Sequence, residues 1–269
     1  MKRFMFILLC FLALTACDQD AMFDEVIQKF SAGHDDEIAF AKDYIAKFPA
    51  HNFDGIDASL DPSLKNDQLH GTLKTMASFF PVGPATDIKL IGFNVSTFED
   101  ANGTRSQTDI LFQYQFPDRW IVAEVVVKKT EKGFMVLGVH VSPLRDSLKN
   151  IHAFTMAGKP AANYAMLAAT VVVPLFTLAV LVLCIRTPIP KRKWLWVVFI
   201  LLGCFVTLKM NWTTGDTEFQ LLSFQLLGAS WMKSSPYNPN VLSVSFPLGA
   251  IVFLMRRKKL IGGNPADKT

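Results

Sequence analysis

AMLAATVVVPLFTLAVLVLCI, residues 165–185, decides how this chain of 269 residues is organised. It holds no charged side chain. Its 21 residues, at about 1.5 Å each, make a helix of roughly 31 Å, the thickness of bilayer hydrocarbon. Pro174 near the middle is tolerated as a kink. Upstream lies a segment of ordinary, water-compatible composition. Downstream lie further apolar runs with basic edges. The chain is 51% hydrophobic, and the runs after residue 165 supply the excess. The net charge of +4 is a misleading average. Residues 18–160 hold 14 Lys/Arg against 20 Asp/Glu, a net of −6. The net positive charge sits in short clusters beside apolar runs, which is membrane patterning and not the basic face of a nucleic-acid binder.

The region 161–260 therefore predicts an all-α membrane domain of about three helices, with spans near 165–185, 194–210 and 241–255. The apolar stretch 219–232 predicts an interfacial or re-entrant helix near 218–232. A fourth span there is the alternative, and it would carry the basic tail to the outside, against the positive-inside rule. Arg186, Lys191, Arg192 and Lys193 form the first topology determinant. Arg256, Arg257, Lys258 and Lys259 form the second, before a cytoplasmic tail at 261–269. Asp216 and Glu218 lie on the opposite side. No acidic residue or His falls within a span, which argues against transport.

The N-terminus fits this picture. Lys2 and Arg3 precede a short apolar run, and Leu14-Thr15-Ala16-Cys17 closes it. This resembles the lipobox of bacterial lipoproteins, whose small residues suit a tight peptidase pocket. The resemblance implies a signal peptide at 1–16, a diacylglyceryl group on Cys17, and Asp18 as an inner-membrane retention cue. Cys10 leaves with the signal. Cys184 and Cys204 lie in apolar runs, so no disulfide staples residues 18–160.

That segment reads as α+β. Met22, Phe23, Val26, Ile27 and Phe30 recur at helical spacing, as do Ile38, Ala41, Tyr44, Ile45 and Phe48. Gly33 separates the two runs, with Asp35 or Asp36 as cap of the second. A turn at 53–57 follows. Asp61-Pro62 opens a further helix carrying Leu64, Leu69, Leu73, Met76 and Phe80. From Thr86 the pattern alternates: Ile91, Phe93, Val95, then Ile110, Phe112, Tyr114, then the β-branched run 121–127, then 134–141. Asn102-Gly103, Pro117-Asp118 and Glu131-Lys132-Gly133 mark turns. An antiparallel meander of about four strands follows. The helix pair, the Leu60-Asp61-Pro62-Ser63-Leu64 stretch, the Trp120 strand and the Gly133-Phe134 hairpin together resemble NTF2-like (cystatin-like) domains of bacterial lipoproteins. The resemblance implies a roll over residues 17–160 in which a sheet curls around helices, with a cavity serving binding in some members and catalysis in others.

Enzymes on that fold use His–Asp pairs or Asp and Tyr side chains in the cavity, which makes His140, Glu124, Asp109 and Tyr114 the candidates here. Strand register decides whether His140 and Glu124 share a face. The other histidines show no metal-ligand spacing, and no phosphate loop, serine elbow or cysteine nucleophile context is present. No metal or cofactor is expected. Two functions follow. One is a lipoprotein of the bacterial inner membrane whose periplasmic domain binds a small apolar ligand or an envelope protein. The other is a hydrolase or isomerase using His140 with a nearby carboxylate. The bilayer is the expected partner in both, and nucleic acid in neither.

Overall fold

A computed structural model describes residues 19–261, apart from 101–102, 132 and 190–191. The chain divides into two compact units, residues 1–150 and 151–269. Cys17, Asp18, Lys191 and the turn residue Asn102 lie outside the described residues.

In the first unit, α1 (Gln19–Ser31) and α2 (Asp35–Ala46) are parted at Gly33, whose φ of 84° suits glycine. No Asp side chain caps α2: His34 holds the cap position and bonds nothing there. Asp35, Asp36 and Glu37 instead fill the first turn, where the helix dipole favours negative charge. Helix α3 (Phe53–Asp57) is capped by Asn52, whose side chain accepts from Gly55 N at 2.9 Å. The single helix expected from Asp61 onward is broken in two. Asp61 caps only a 3₁₀ turn, Pro62–Leu64, and α4 (Leu69–Ser78) starts separately. The break lets the backbone at residues 59–61 pair with Val136: Val136 N donates to Ser59 O at 2.8 Å and Asp61 N to Val136 O at 2.9 Å.

Strands β1 (Asp87–Asp100), β2 (Gly103–Gln115), β3 (Trp120–Thr130) and β4 (Gly133–Leu144) pair in sequence order, all antiparallel. Alternation decides their faces. Ile121, Ala123, Val125 and Val127 are buried while their neighbours are half-exposed. The buried face joins Tyr44, Ile45, Phe48 and Leu73 of the helices in one core. A short helix, α5 (Leu148–Ile151), follows, its first N–H held by Gln113 Oε1 at 2.8 Å.

The second unit corrects the expectation of an all-α membrane region with about three helices. Helix α6 (Ala161–Arg186) is the one described helix long and apolar enough to cross a bilayer. The run at 194–210 divides into α7 (Lys193–Leu201) and β5 (Leu202–Asn211). The stretch 218–232 is not helical: it forms β6 (Thr217–Leu226) and β7 (Ala229–Met232), joined through Leu227 and Gly228, both at positive φ. The run at 241–255 divides into β8 (Val241–Ser245) and α8 (Leu248–Ile261). The strands form a second antiparallel sheet in the order β6-β5-β8-β7.

Two packing centres divide α6. Toward its start, Met166 meets Met210, Trp212 and Leu242 of the sheet region. Toward its end, Val180 and Cys184 meet Ile200, Ala250 and Phe253 of α7 and α8. The helices α7 and α8 approach so closely that a Cβ on Gly249 would collide with the Phe199 carbonyl.

Candidate functional site

Strand register settles the relation of the catalytic candidates. Glu124 and His140 are directly opposed across β3 and β4, and Asp109 is opposed to Val126. All three project from the face turned away from the helical core, since Ala123, Val125, Ile110 and Val141 occupy the core face. His140 is exposed and its Nε2 lies 2.8 Å from Ser142 Oγ. No hydrogen bond or ion pair joins it to Glu124. Asp109 accepts from Asn94 Nδ2 at 3.4 Å and Gln107 Nε2 at 3.5 Å. These groups share the sheet face turned away from the core. Ser142 was not legible as a partner because an i, i+2 pair on a strand becomes one site only once the face is known.

Tyr114 stands on the other face, 5% exposed, between the rings of Phe80 and Phe112. Its hydroxyl meets no protein hydrogen-bond partner, and burial pushes its pKa well above the ordinary value. Tyr44 is fully buried and likewise unpartnered. Burial and then the Asp57 charge drive its pKa up. A phenol so held neutral cannot serve as a base at ordinary pH. The sheet therefore does not bring Tyr114 together with His140. A cleft of about 240 Å³ in this unit lies between α4, the 60–68 segment and Gly138–Val139, and no catalytic candidate lines it.

The second unit has two chemically distinct ends. At one, Arg257 Nε donates to Thr187 Oγ1 at 3.2 Å, and Lys193 donates to the carbonyl of Ile185. Arg186, Arg192, Lys193 and the run 256–259 thus collect where α6 stops. At the other, Asn163 Nδ2 donates to Trp212 O at 3.1 Å, and Trp212 N to Asn240 O at 2.8 Å. Phe154 stacks on Trp212 and lies tilted against Trp231, with ring centroids 4.6 Å away on each side. His152 Nδ1 is 3.1 Å from Thr213 Oγ1, and Lys159 Nζ donates to Thr213 O at 3.3 Å. Burial, then the charge of Lys233, holds the His152 pKa below the usual imidazole value.

Between these ends the second sheet is built inside out. Gln225 on β6 donates to Ser243 Oγ at 2.6 Å and accepts from Ser245 Oγ at 2.9 Å, both on β8. Ser230 on β7 lies 2.6 Å from Ser243, and Thr207 on β5 lies 2.6 Å from Ser245. A side chain on β6 reaching β8 requires the sheet to curl, enclosing the hydroxyls. Thr207, Ser243 and Ser245 are buried, while Phe219, Leu221, Phe224 and Leu226 of β6 stay about 70% exposed. Helix α6 likewise exposes Val171, Val172, Leu175, Val182 and Ile185. The signal for this network was in the alternation of Leu242-Ser243-Val244-Ser245.

Among the described residues no three His, Cys, Asp or Glu side chains gather as a metal site. Comparison with protein-family models, curated proteins and solved structures finds no match, so the reading of function rests on the residues themselves.

Proposed function

We propose that this chain is an anchored protein of the bacterial inner membrane whose periplasmic segment, residues 17–160, is a binding module for an envelope protein or a small apolar ligand. The observation that carries the anchoring is the inverted surface of the second unit. In water, four large apolar side chains exposed on one strand are unfavourable, while the buried serines and threonine, bonded to one another and to Gln225, are satisfied without water. Against hydrocarbon the exposed side chains become favourable and the enclosed hydroxyls stay satisfied, as in membrane strands that turn apolar residues out and polar residues in. Helix α6 supplies 26 residues, about 39 Å by helical rise, enough to cross with some tilt. The basic residues gathered at the end of α6 favour that end inside, because the cytoplasmic leaflet is negative. The C-terminal run 256–259 shares that end and lies inside with it. The lipobox at Cys17 adds a second, independent anchor.

The binding reading of residues 17–160 rests on the aromatic core and on the placement of His140, Glu124 and Asp109 on the opposite sheet face, apart from the cleft beside α4. Catalysis needs donors and acceptors converging on a shielded site, and the open sheet face offers none.

The anchoring is tested with the full chain carrying Cys17→Ser, expressed in bacteria, so that lipid on the cysteine cannot hold it. The protein is expected to stay in the membrane through an alkaline carbonate wash. A reporter active only in the cytoplasm, fused after Thr269, is expected to be active. Release by carbonate refutes the anchor, and a reporter active only in the periplasm refutes the orientation.

A further inference from the structure

Beside α6 lies a groove of about 550 Å³, lined by Met166, Ala169, Val173, Val206, Leu208 and residues 244–248. The volume is that of a typical ligand pocket. Its lining is apolar except for Ser245, and that hydroxyl is already engaged by Gln225 and Thr207. A polar occupant would find no partner here. A peptide strand or helix end would bury amides without hydrogen bonds, and a sugar would bury hydroxyls. The lining suits a hydrocarbon chain.

The position along α6 narrows the choice. If α6 spans, as proposed above, residues 166–173 lie within the outermost 10 Å or so of the hydrocarbon, by a rise of about 1.5 Å per residue. That is the depth of acyl chains in the outer leaflet. The groove is bounded by Phe246, which is itself exposed, and by the exposed apolar surface of α6 around Val172, so it opens sideways. Above it, toward the start of α6, lie two lysines, with the Asp216 carboxylate of the neighbouring turn engaged by Thr214 Oγ1 at 2.6 Å. Lys159 spends one donor on Thr213 O and sits 5.9 Å from the centroid of the Trp212 ring, leaving donors free. Trp212 packs with Met166, which lines the groove, and Lys159 lies just before α6, so its ammonium lies toward the end of α6 from which the groove begins. Lys233 adds a second cation near His152.

We propose that this groove seats an acyl chain of an outer-leaflet glycerophospholipid, whose phosphate is held by Lys159 and Lys233. The lipid is then a bound component with its own contacts, and not one of the exchanging lipids around α6.

The inference rests on the membrane reading, and the test separates the two. The full chain is reconstituted in nanodiscs containing phosphatidylethanolamine with a diazirine midway along one acyl chain. After illumination, peptides are mapped by mass spectrometry. Crosslinks are expected on residues 166–173 and 244–248, in excess over those on the exposed face at 175–182. Ala169→Phe, which places a ring in the groove, is expected to abolish the groove crosslinks and leave those at 175–182 unchanged. Val206→Phe fills the same space from the sheet and covers the case in which the helix variant misfolds. Lys159→Gln with Lys233→Gln is expected to lower groove labelling by the phospholipid.

Even labelling around α6, or groove labelling untouched by Ala169→Phe and Val206→Phe, overturns the site. Groove labelling by a diazirine-bearing free fatty acid, with none by the phospholipid, overturns its assignment to a glycerophospholipid. Labelling that appears only in Cys17→Ser shows that the chain's own acyl group fills the groove, and overturns it equally. Absence of labelling at 175–182 as well as in the groove removes α6 from the bilayer, and both readings fail together.

Discussion

Two buried phenols give the first unit a quantitative test. Tyr44 and Tyr114 are 0% and 5% exposed, and neither hydroxyl meets a protein hydrogen-bond partner. Burying a hydroxyl without a partner costs about 1–3 kcal/mol by mutational data. Phenylalanine keeps the ring and therefore the contacts of Tyr44 with Phe48 and of Tyr114 with Phe80 and Phe112. Removing one oxygen leaves a void smaller than a methyl group, so the packing loss is a few tenths of a kcal/mol at most. Each of Tyr44→Phe and Tyr114→Phe is therefore expected to stabilise by about 1 kcal/mol. For a domain of this size that raises Tm by roughly 3–5 °C. The assay is thermal and urea unfolding of the fragment 22–155, which has its own core and no cysteine. It is expected to melt cooperatively as a mixed helix and strand domain. Ile45→Ala, at a fully buried site, serves as the reference and is expected to cost about 2–5 kcal/mol. A loss of 1 kcal/mol or more in either Tyr→Phe variant would mean the hydroxyl is hydrogen-bonded in the native state, and the reasoning fails.

The same phenols set an alkaline limit. Above about pH 10 the unfolded phenols ionise while the buried ones, with raised pKa values, stay neutral. Their contribution is intact below pH 10 and is lost as pH rises, by about 1.4 kcal/mol per pH unit for each tyrosine. They are the two tyrosines of residues 22–155, so the double Phe variant should show a visibly flatter decline in urea melts above pH 10. In the second unit, Gly249→Val should drive a side chain into the Phe199 carbonyl and separate α8 from α7. Protease resistance of the detergent-solubilised chain should fall, and unchanged resistance would count against this packing. At the N-terminus, Cys17→Ser should abolish incorporation of a palmitate analogue, read by gel fluorescence. Labelling equal to the unsubstituted chain would sink the lipidation.

What the sequence could show depended on pattern. From Thr86 to Val141 the period of two, punctuated by Gly and Pro turns, placed β1 to β4, because one face of that sheet is buried and the other is not. The helical spacing of Ile38, Ala41, Ile45 and Phe48 placed α2 for the same reason. The long uncharged run placed α6. The tertiary structure decided the rest. A uniformly apolar run carries no period, so 194–210 and 241–255 looked like helices when each is half helix and half strand. The choice between helix and strand there turns on partners distant in sequence: Thr207 with Ser245, and Ser230 with Ser243. Register likewise put His140 opposite Glu124 but on the open face, a matter of one residue in pairing that no local pattern reveals. Composition determined that the second half must hide or exploit its apolar surface. Only the folded chain decided that the hydroxyls of the second sheet turn inward and the phenylalanines of β6 outward, because that choice is made by which side chains can satisfy one another across the curled sheet.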